Sequence, residues 1–204
     1  MKKLMVVAVA LVLAASAMAQ ILPVAQTADP TEVGKISATV GLNKYMGDFD
    51  PMAIGARCSY GVIENLLIIG DVGMVDIPHG DSEVGIGIAA QYSLAMLDLP
   101  VELAVRLGLG VMSVSDFSET AGINAMALVS YKIEQVDGLA VYGGVGFEYL
   151  LDDDWADSFS VLVDVGAKYA LPVLDKKLSV FAEMGFASGN DLGASIAGGA
   201  VYAF

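Results

Sequence analysis

The sequence predicts an all-β fold: a transmembrane, antiparallel, up-and-down β-barrel of ten strands, with eight strands as the alternative. Three observations predict it. Apolar residues alternate with small, polar or charged ones, as expected where successive side chains of a strand point to opposite faces. One of the two resulting faces carries no charged or amide side chain. A tyrosine recurs near the end of every second segment, on that apolar face.

The composition favours strands over helices as the membrane-crossing elements. Mean hydropathy is +0.66 and 56% of residues are hydrophobic, yet glycines, serines and charges interrupt every apolar stretch after the N-terminus. A spanning helix needs about 20 consecutive apolar residues, whereas a barrel strand exposes only alternate residues to lipid.

The N-terminus has the pattern of an export signal. Lys2 and Lys3 precede an uncharged apolar stretch over 4–15, and Ala17 and Ala19 supply small residues for cleavage before Gln20. We therefore expect a signal peptide at 1–19, an N-terminal periplasmic segment at 20–34 and the barrel at 35–204. A membrane anchor at the N-terminus is the alternative, although the apolar stretch is short for one.

Ten alternating segments carry the strand prediction, and their opposite face is polar and rich in glycine. The segments are 35–44, 52–62, 66–75, 84–94, 101–112, 122–132, 138–149, 158–169, 178–187 and 192–204. Their polar face carries nine charges, on Arg57, Asp71, Glu102, Arg106, Lys132, Glu148, Asp164, Lys168 and Glu183.

Aromatic residues indicate that the apolar face is on the outside of the barrel. In an antiparallel meander the ends of alternate strands lie at one height, so the tyrosines form a belt of the kind found at a membrane interface. The belt is Tyr60, Tyr92, Tyr131, Tyr169 and Tyr202. A partial second belt at the opposite ends comprises Phe147, Tyr149, Phe159 and Phe186. Such an alignment of aromatic residues at two heights is not expected in a soluble barrel.

The connections also alternate. Those on the tyrosine side are short (63–65, 95–100, 133–137, 170–177), whereas those on the other side are acidic (45–51, 76–83, 113–121, 150–157, 188–191). We expect the acidic connections to be extracellular and the tyrosine side, with both termini, to be periplasmic. An even number of strands is then required, and ten satisfies it.

The end of the chain resembles the assembly signal of bacterial outer-membrane β-barrels. Such chains finish on an aromatic residue, most often Phe, and Gly199, Tyr202 and Phe204 occupy matching positions in the last segment. Gly198 replaces the polar residue that usually precedes the glycine. The resemblance implies a location in the outer membrane, contact with its lipid and lipopolysaccharide, and recognition by periplasmic chaperones and the barrel-assembly machinery. It does not single out one family of small barrels.

The charges on the polar face are the candidate site. Folding the 52–75 hairpin about Glu64 places Arg57 opposite Asp71, which predicts a cross-strand ion pair. The remaining members of the predicted lumen charge network are Glu102, Arg106, Glu148, Asp164, Lys168 and Glu183. A salt-bridge network that satisfies a narrow interior is the favoured interpretation, and a charged constriction in a pore is the alternative.

Catalysis and specific metal binding have weak support. His79, beside Asp76, Asp81 and Glu83, suggests a site like that of outer-membrane proteases, but the loops are too short for a substrate cleft. The carboxylates at 152–154 and Asp157 lack the glycine and terminal glutamate of an EF-hand, so at most weak divalent-cation binding is expected. Cys58 lies on the lipid face as a small apolar residue. We expect no cofactor and no metal site.

Net charge excludes one class of partner. The formal charge is −14, and removal of Lys2 and Lys3 makes the mature chain more acidic, so nothing is available to neutralise nucleic-acid phosphates. The sequence thus predicts a non-catalytic outer-membrane barrel with a structural or surface-interaction role. A narrow, passive, cation-preferring pore is the alternative, and an outer-membrane enzyme of the protease type is third.

Overall fold

The structure is a computed structural model that describes residues 27–46, 51–76, 82–95, 99–114, 118–152, 158–188 and 193–204. The predicted signal peptide, His79, Asp81 and the acidic residues Asp153, Asp154 and Asp157 lie outside these described residues.

Ten strands follow one another along the chain, as the alternation predicted. They are β1 (Ile36–Met46), β2 (Met52–Ile63), β3 (Leu66–Asp76), β4 (Ser82–Ser93), β5 (Glu102–Val114), β6 (Ser118–Lys132), β7 (Leu139–Asp152), β8 (Ser158–Ala170), β9 (Leu178–Ser188) and β10 (Ala194–Ala203). Each strand pairs antiparallel with its neighbours in sequence, and β1 pairs with β10 to close the barrel. The predicted fold and strand number are confirmed, and the eight-stranded alternative is wrong.

Several strands extend beyond the predicted ends. β5 continues to Val114 and β6 already begins at Ser118, where a loop over 113–121 was expected, and β7 continues to Asp152. The cross-strand pairs Val114–Ser118 and Thr120–Asp152 belong to these extensions. Backbone pairing does not require an apolar outer face where a strand extends beyond the lipid. The hydrogen-bonded pairing therefore continues past the end of the apolar alternation that predicted the strand.

The apolar face lies on the outside of the barrel and the polar face on the inside. Val40, Ile54, Val145 and Val165 are about half exposed, whereas Arg57, Asp71, Gln91, Arg106 and Asn124 are buried. This is the arrangement of a membrane barrel, whose apolar residues face lipid. No helix among the described residues is long and apolar enough to cross a bilayer.

Two levels of aromatic residues mark the ends of the apolar surface. The five tyrosines of the predicted belt lie near one end of the barrel, called here the tyrosine end. At the other end, called the loop end, Phe147 and Phe159 stack with their ring centroids 6.0 Å apart. Along β8, Tyr169 and Phe159 therefore bracket the part of the wall that faces the lipid interior.

The tyrosine end has tight connections. Asn65 adopts a left-handed conformation (φ 66°) in the turn between β2 and β3, which asparagine tolerates well. The connection between β8 and β9 contains a short 3-10 turn at Leu174–Lys176. Gly34, at φ 80°, turns the preceding segment into β1.

Candidate functional site

The centre of the lumen holds a compact group of charges on three different strands. The Arg57 side chain on β2 donates hydrogen bonds from Nε to Asp71 Oδ1 (2.6 Å) and from Nη2 to Asp71 Oδ2 (3.0 Å). Arg57 and Asp71 are register partners, so the predicted cross-strand ion pair is present. Arg106 on β5 approaches the same carboxylate, with Nη2 3.6 Å from Asp71 Oδ2. The two hydrogen bonds make the Arg57–Asp71 pair bidentate and strongly oriented, and all three side chains are buried.

On the opposite wall, Tyr142 and Glu183 continue this layer. The Tyr142 hydroxyl donates to Glu183 Oε2 across 2.9 Å, linking β7 to β9. Gly166 provides the space, because a Cβ there would lie 2.6 Å from the tyrosine ring. Together, Arg57, Asp71, Arg106, Tyr142 and Glu183 form what we call the charge layer, in which two arginines balance two carboxylates.

Apolar side chains pack beside the charge layer on the inner wall. Phe181 contacts Val201, and Leu67 and Ile69 cluster with Ala89. Gly199 is required for the first contact: a Cβ there would lie 2.7 Å from the Phe181 ring and 2.1 Å from the Val40 carbonyl oxygen. Gly199, singled out from the sequence as part of the assembly signal, thus also makes room in the lumen.

Towards the loop end, the lumen is polar and less well satisfied. Asn124, Glu148 and Ser160 form one row across β6, β7 and β8. Both side-chain polar atoms of Asn124, the Ser160 hydroxyl and one Asp164 oxygen have no hydrogen-bonding partner among the described residues. Asp164 and Ser195 approach each other around Gly185, where a Cβ would lie within 2.8 Å of both. This half of the lumen is therefore lined by carboxylates and by buried polar groups that the described protein atoms do not satisfy.

Near the tyrosine end, residues 27–34, called here the strap, cross the mouth of the barrel. For this segment the sequence predicts only a periplasmic location and no secondary structure. The Gln91 side-chain amide donates to the Thr27 carbonyl oxygen (3.0 Å) and the Ser93 hydroxyl to that of Asp29 (2.8 Å). The Ala28 amide donates to the Ser130 hydroxyl (3.2 Å), and Ala28 packs with Ala104, Met126 and Leu128. No motif in the strap signals this placement; the only trace is polar residues on β4 and β6 that point into the lumen.

Three of the other predicted members of the lumen network lie away from the charge layer. By register, Glu102 and Lys168 are near the tyrosine end, and Glu148 is towards the loop end. Lys132, at the rim, binds Asp29 of the strap, with Nζ 2.9 Å from Oδ1. The structure thus brings together Arg57, Asp71, Arg106 and Glu183, and Asp164 lies close enough to Arg106 and Glu183 to interact with them electrostatically. The others are at different heights, because strand register sets the height of each side chain.

The C-terminal residues close the barrel at the tyrosine end. The Phe204 amide donates to the Ile36 carbonyl oxygen (3.0 Å), and the Phe204 ring meets Tyr202 edge-on with centroids 4.9 Å apart. Phe204 and Cys58 are both exposed on the outer surface. Within the described ranges, no group of three or more His, Cys, Asp or Glu residues is arranged to hold a metal ion.

No known protein family matches the sequence, and no curated protein does. Solved structures with a similar fold include the β domain of the Bordetella autotransporter BrkA, at 13% identity and TM-score 0.52, with 84% of this chain and 99% of that one covered. The KdgM porin is 13% identical, with TM-score 0.44 and coverage of 81% and 99%. A loop L8 deletion mutant of OmpT, an outer membrane protein of Vibrio cholerae, is 14% identical, with TM-score 0.40 and coverage of 86% of this chain. This chain spans 61% of the length of that protein. The likeness to the BrkA domain is one of fold, a closed antiparallel β-barrel, and the apolar outer wall is that of a barrel that crosses a membrane.

Proposed function

We propose that this protein is a closed, non-catalytic barrel with a structural or surface-interaction role in the outer membrane. One observation carries the proposal: the charge layer crosses the lumen from β2 and β3 to β7 and β9. Small barrels are commonly filled by their own side chains, and here the filling is fixed by buried, charge-assisted hydrogen bonds.

The energetics of the charge layer favour a closed interior. Separating Arg57 from Asp71 in a narrow, weakly solvated lumen strands two charges, and that cost opposes the movement a conducting path needs. The inward carboxylates Asp71 and Glu183 are engaged with Arg57 and Tyr142, which also argues against their use as a general acid or base.

A narrow, passive, cation-preferring pore is the second candidate, and the polar half at the loop end favours it. Asn124 and Ser160 are buried with unpartnered polar atoms, as expected where water enters. Glu148 and Asp164 add negative charge there, and the connections at the loop end are acidic in sequence. Such a mouth concentrates cations.

Contacts with other molecules follow from the membrane location and are part of the proposal. The exposed apolar wall contacts lipid, and the acidic connections face lipopolysaccharide with weak divalent-cation binding. The exposed Phe204 at the end of β10 is suited to recognition by periplasmic chaperones and the barrel-assembly machinery.

Planar-bilayer recordings of the purified, refolded protein test the proposal. We expect the wild type to be silent, and Asp71→Ala to lower the thermal unfolding temperature while leaving the membrane insulating. Glu134→Ala, which removes an acid from an exposed turn, is the matched control and should change neither property. A steady cation-selective conductance in the wild type, shifted away from cations by Asp71→Ala, would overturn the closed barrel in favour of the pore.

A further inference from the structure

We propose that the strap, residues 27–34, is a gate at the tyrosine end of the lumen that can leave its seat without unfolding the barrel. Opening of the strap exposes the part of the inner wall between the charge layer and the tyrosine end. It does not require that the barrel conduct ions.

The strap bridges walls that are far apart around the barrel. At one side, the Asn65 amide donates to the Thr31 carbonyl oxygen (3.0 Å) and the Gly34 amide to that of Gly61 (2.8 Å). At the other, Ser93 on β4 and Ser130 on β6 bind the backbone of Asp29 and Ala28. Since β2 and β6 lie four strands apart in a ten-stranded barrel, the segment between these anchors passes across the opening.

The contacts that seat the strap are of a kind that water can replace. Gln91, Ser93 and Ser130 bind its backbone through side-chain hydrogen bonds, and the Lys132–Asp29 ion pair is at the partly exposed rim. Of the described strap residues, Ala28 alone contributes an apolar side chain to the buried cluster. When the strap leaves, these polar wall side chains face water at the mouth and form hydrogen bonds with it. The open state therefore leaves no buried polar group without a hydrogen-bonding partner.

The strap also has room to move. A cavity of about 380 Å³ remains beside it, bounded by strap residues and by Leu67, Gln91, Lys168 and Phe204 of the wall. The strap therefore lies against one side of the mouth and leaves open space on the other. A segment with few apolar contacts and adjacent free volume belongs to the part of a protein that opens locally at low free-energy cost.

Gly61 provides a variant that pushes on the strap at its anchor on β2 and leaves Gln91, Ser93 and Ser130 unchanged. A Cβ there would lie 2.2 Å from the Glu32 carbonyl oxygen and 2.8 Å from Thr31 Cγ2, so Gly61→Ala pushes on the strap backbone. Gly70→Ala on the neighbouring strand is the matched control, because a Cβ at Gly70 has no atom within 4 Å.

Cysteine labelling measures the opening. Cys58 is the sole cysteine, so a Cys58→Ala, Leu128→Cys chain carries one thiol beneath the strap, on the wall that packs against Ala28, and keeps the hydrogen bonds that seat the strap. In refolded protein, we expect slow reaction with a water-soluble maleimide, a labelling rate about tenfold faster after Gly61→Ala, and no change after Gly70→Ala. Circular dichroism and heat-modifiable gel migration should show an intact barrel in all three.

Ionic strength gives an independent readout if Gly61→Ala does not fold. Raising salt from about 0.01 to about 1 M screens the rim ion pair, so labelling of the Leu128→Cys chain should accelerate. Asp29→Asn removes the pair and should label faster at low salt, with little salt dependence. Fast labelling of the parent chain in low salt, or a rate unmoved by Gly61→Ala in a folded barrel and by salt, would overturn the gate. Conductance is not the readout, so the closed-barrel proposal stands or falls separately.

Discussion

Val165 and Asp164 are adjacent on β8 but lie in different environments, the lipid-facing outer wall and the lumen. Val165 is 53% exposed on the outer wall, whereas the Asp164 side chain points into the lumen towards Ser195. On the outer wall each residue is replaceable by any apolar residue of suitable size, because lipid adapts to its shape. Inside, the residues of the charge layer depend on particular partners. The outer wall therefore tolerates many sequences but no charge, whereas the lumen accommodates charges, and those of the charge layer are held by their partners.

The largest expected effect is on assembly. Phe204→Asp puts a charge on the exposed outer surface at the chain terminus, where the sequence resembles an assembly signal, and most of the outer-membrane yield should be lost. Quantitative blotting of membrane fractions measures it. Unchanged yield would show that the outer wall at the tyrosine end tolerates a charge at the chain terminus.

Within the lumen, Asp71→Ala should cost about 3–5 kcal/mol of unfolding free energy, because it leaves the buried Arg57 without its bidentate partner and Arg106 without an ion pair. Urea unfolding in lipid vesicles measures it. The double variant Arg57→Met, Asp71→Leu should recover much of the loss, since it removes both members of the pair. If the double variant were as unstable as the single one, the ion pair would stabilise the barrel beyond the mutual neutralisation of its two buried charges.

On the outer wall the cost of a charge should depend on depth. Val165 lies between the levels of Tyr169 and Phe159, so Val165→Arg should cost about 2–4 kcal/mol. Val105 pairs with Tyr92 of the tyrosine belt, so Val105→Arg should cost only about 0–1 kcal/mol near the interface. The same unfolding assay compares them. Equal costs would contradict the assignment of the belt to the membrane boundary.

The smallest effect is expected in the polar half of the lumen. Asn124 is buried, but its amide has no hydrogen-bonding partner among the described residues, so Asn124→Ala should change the unfolding free energy by less than about 1 kcal/mol. A loss as large as that of Asp71→Ala would show that the loop-end half is as tightly organised as the charge layer.

The outer wall could be predicted from sequence almost residue by residue. Apolar alternation depends only on the geometry of a strand, and each strand requires a single choice of face. Tyr60, Tyr92, Tyr131, Tyr169 and Tyr202 supplied the remaining information, namely which face meets the lipid. The strand ends at the loop end were less predictable, because Ser118–Thr120 pair in water without any apolar signal.

The lumen was predictable only where a tight turn fixed the register. The turn at 64–65 sets Arg57 opposite Asp71, so that pair follows from counting along the chain. By contrast, the approach of Arg106 to Asp71 and of Tyr142 to Glu183 depends on barrel closure and on the height of non-adjacent strands. Sequence alone gives neither quantity.

By itself, then, the sequence determined the strands, their number and the side that faces lipid. These depend on local periodicity and on the requirement that side chains facing lipid be apolar. Only the tertiary structure decided which inward charges meet, and that residues 27–34 return across the mouth to bind Gln91, Ser93 and Ser130. Those contacts join residues separated by 64 to 102 positions in the chain. Such contacts leave no periodic trace, because hydrogen bonds to a strap backbone require only a polar side chain at the right height on a closed wall.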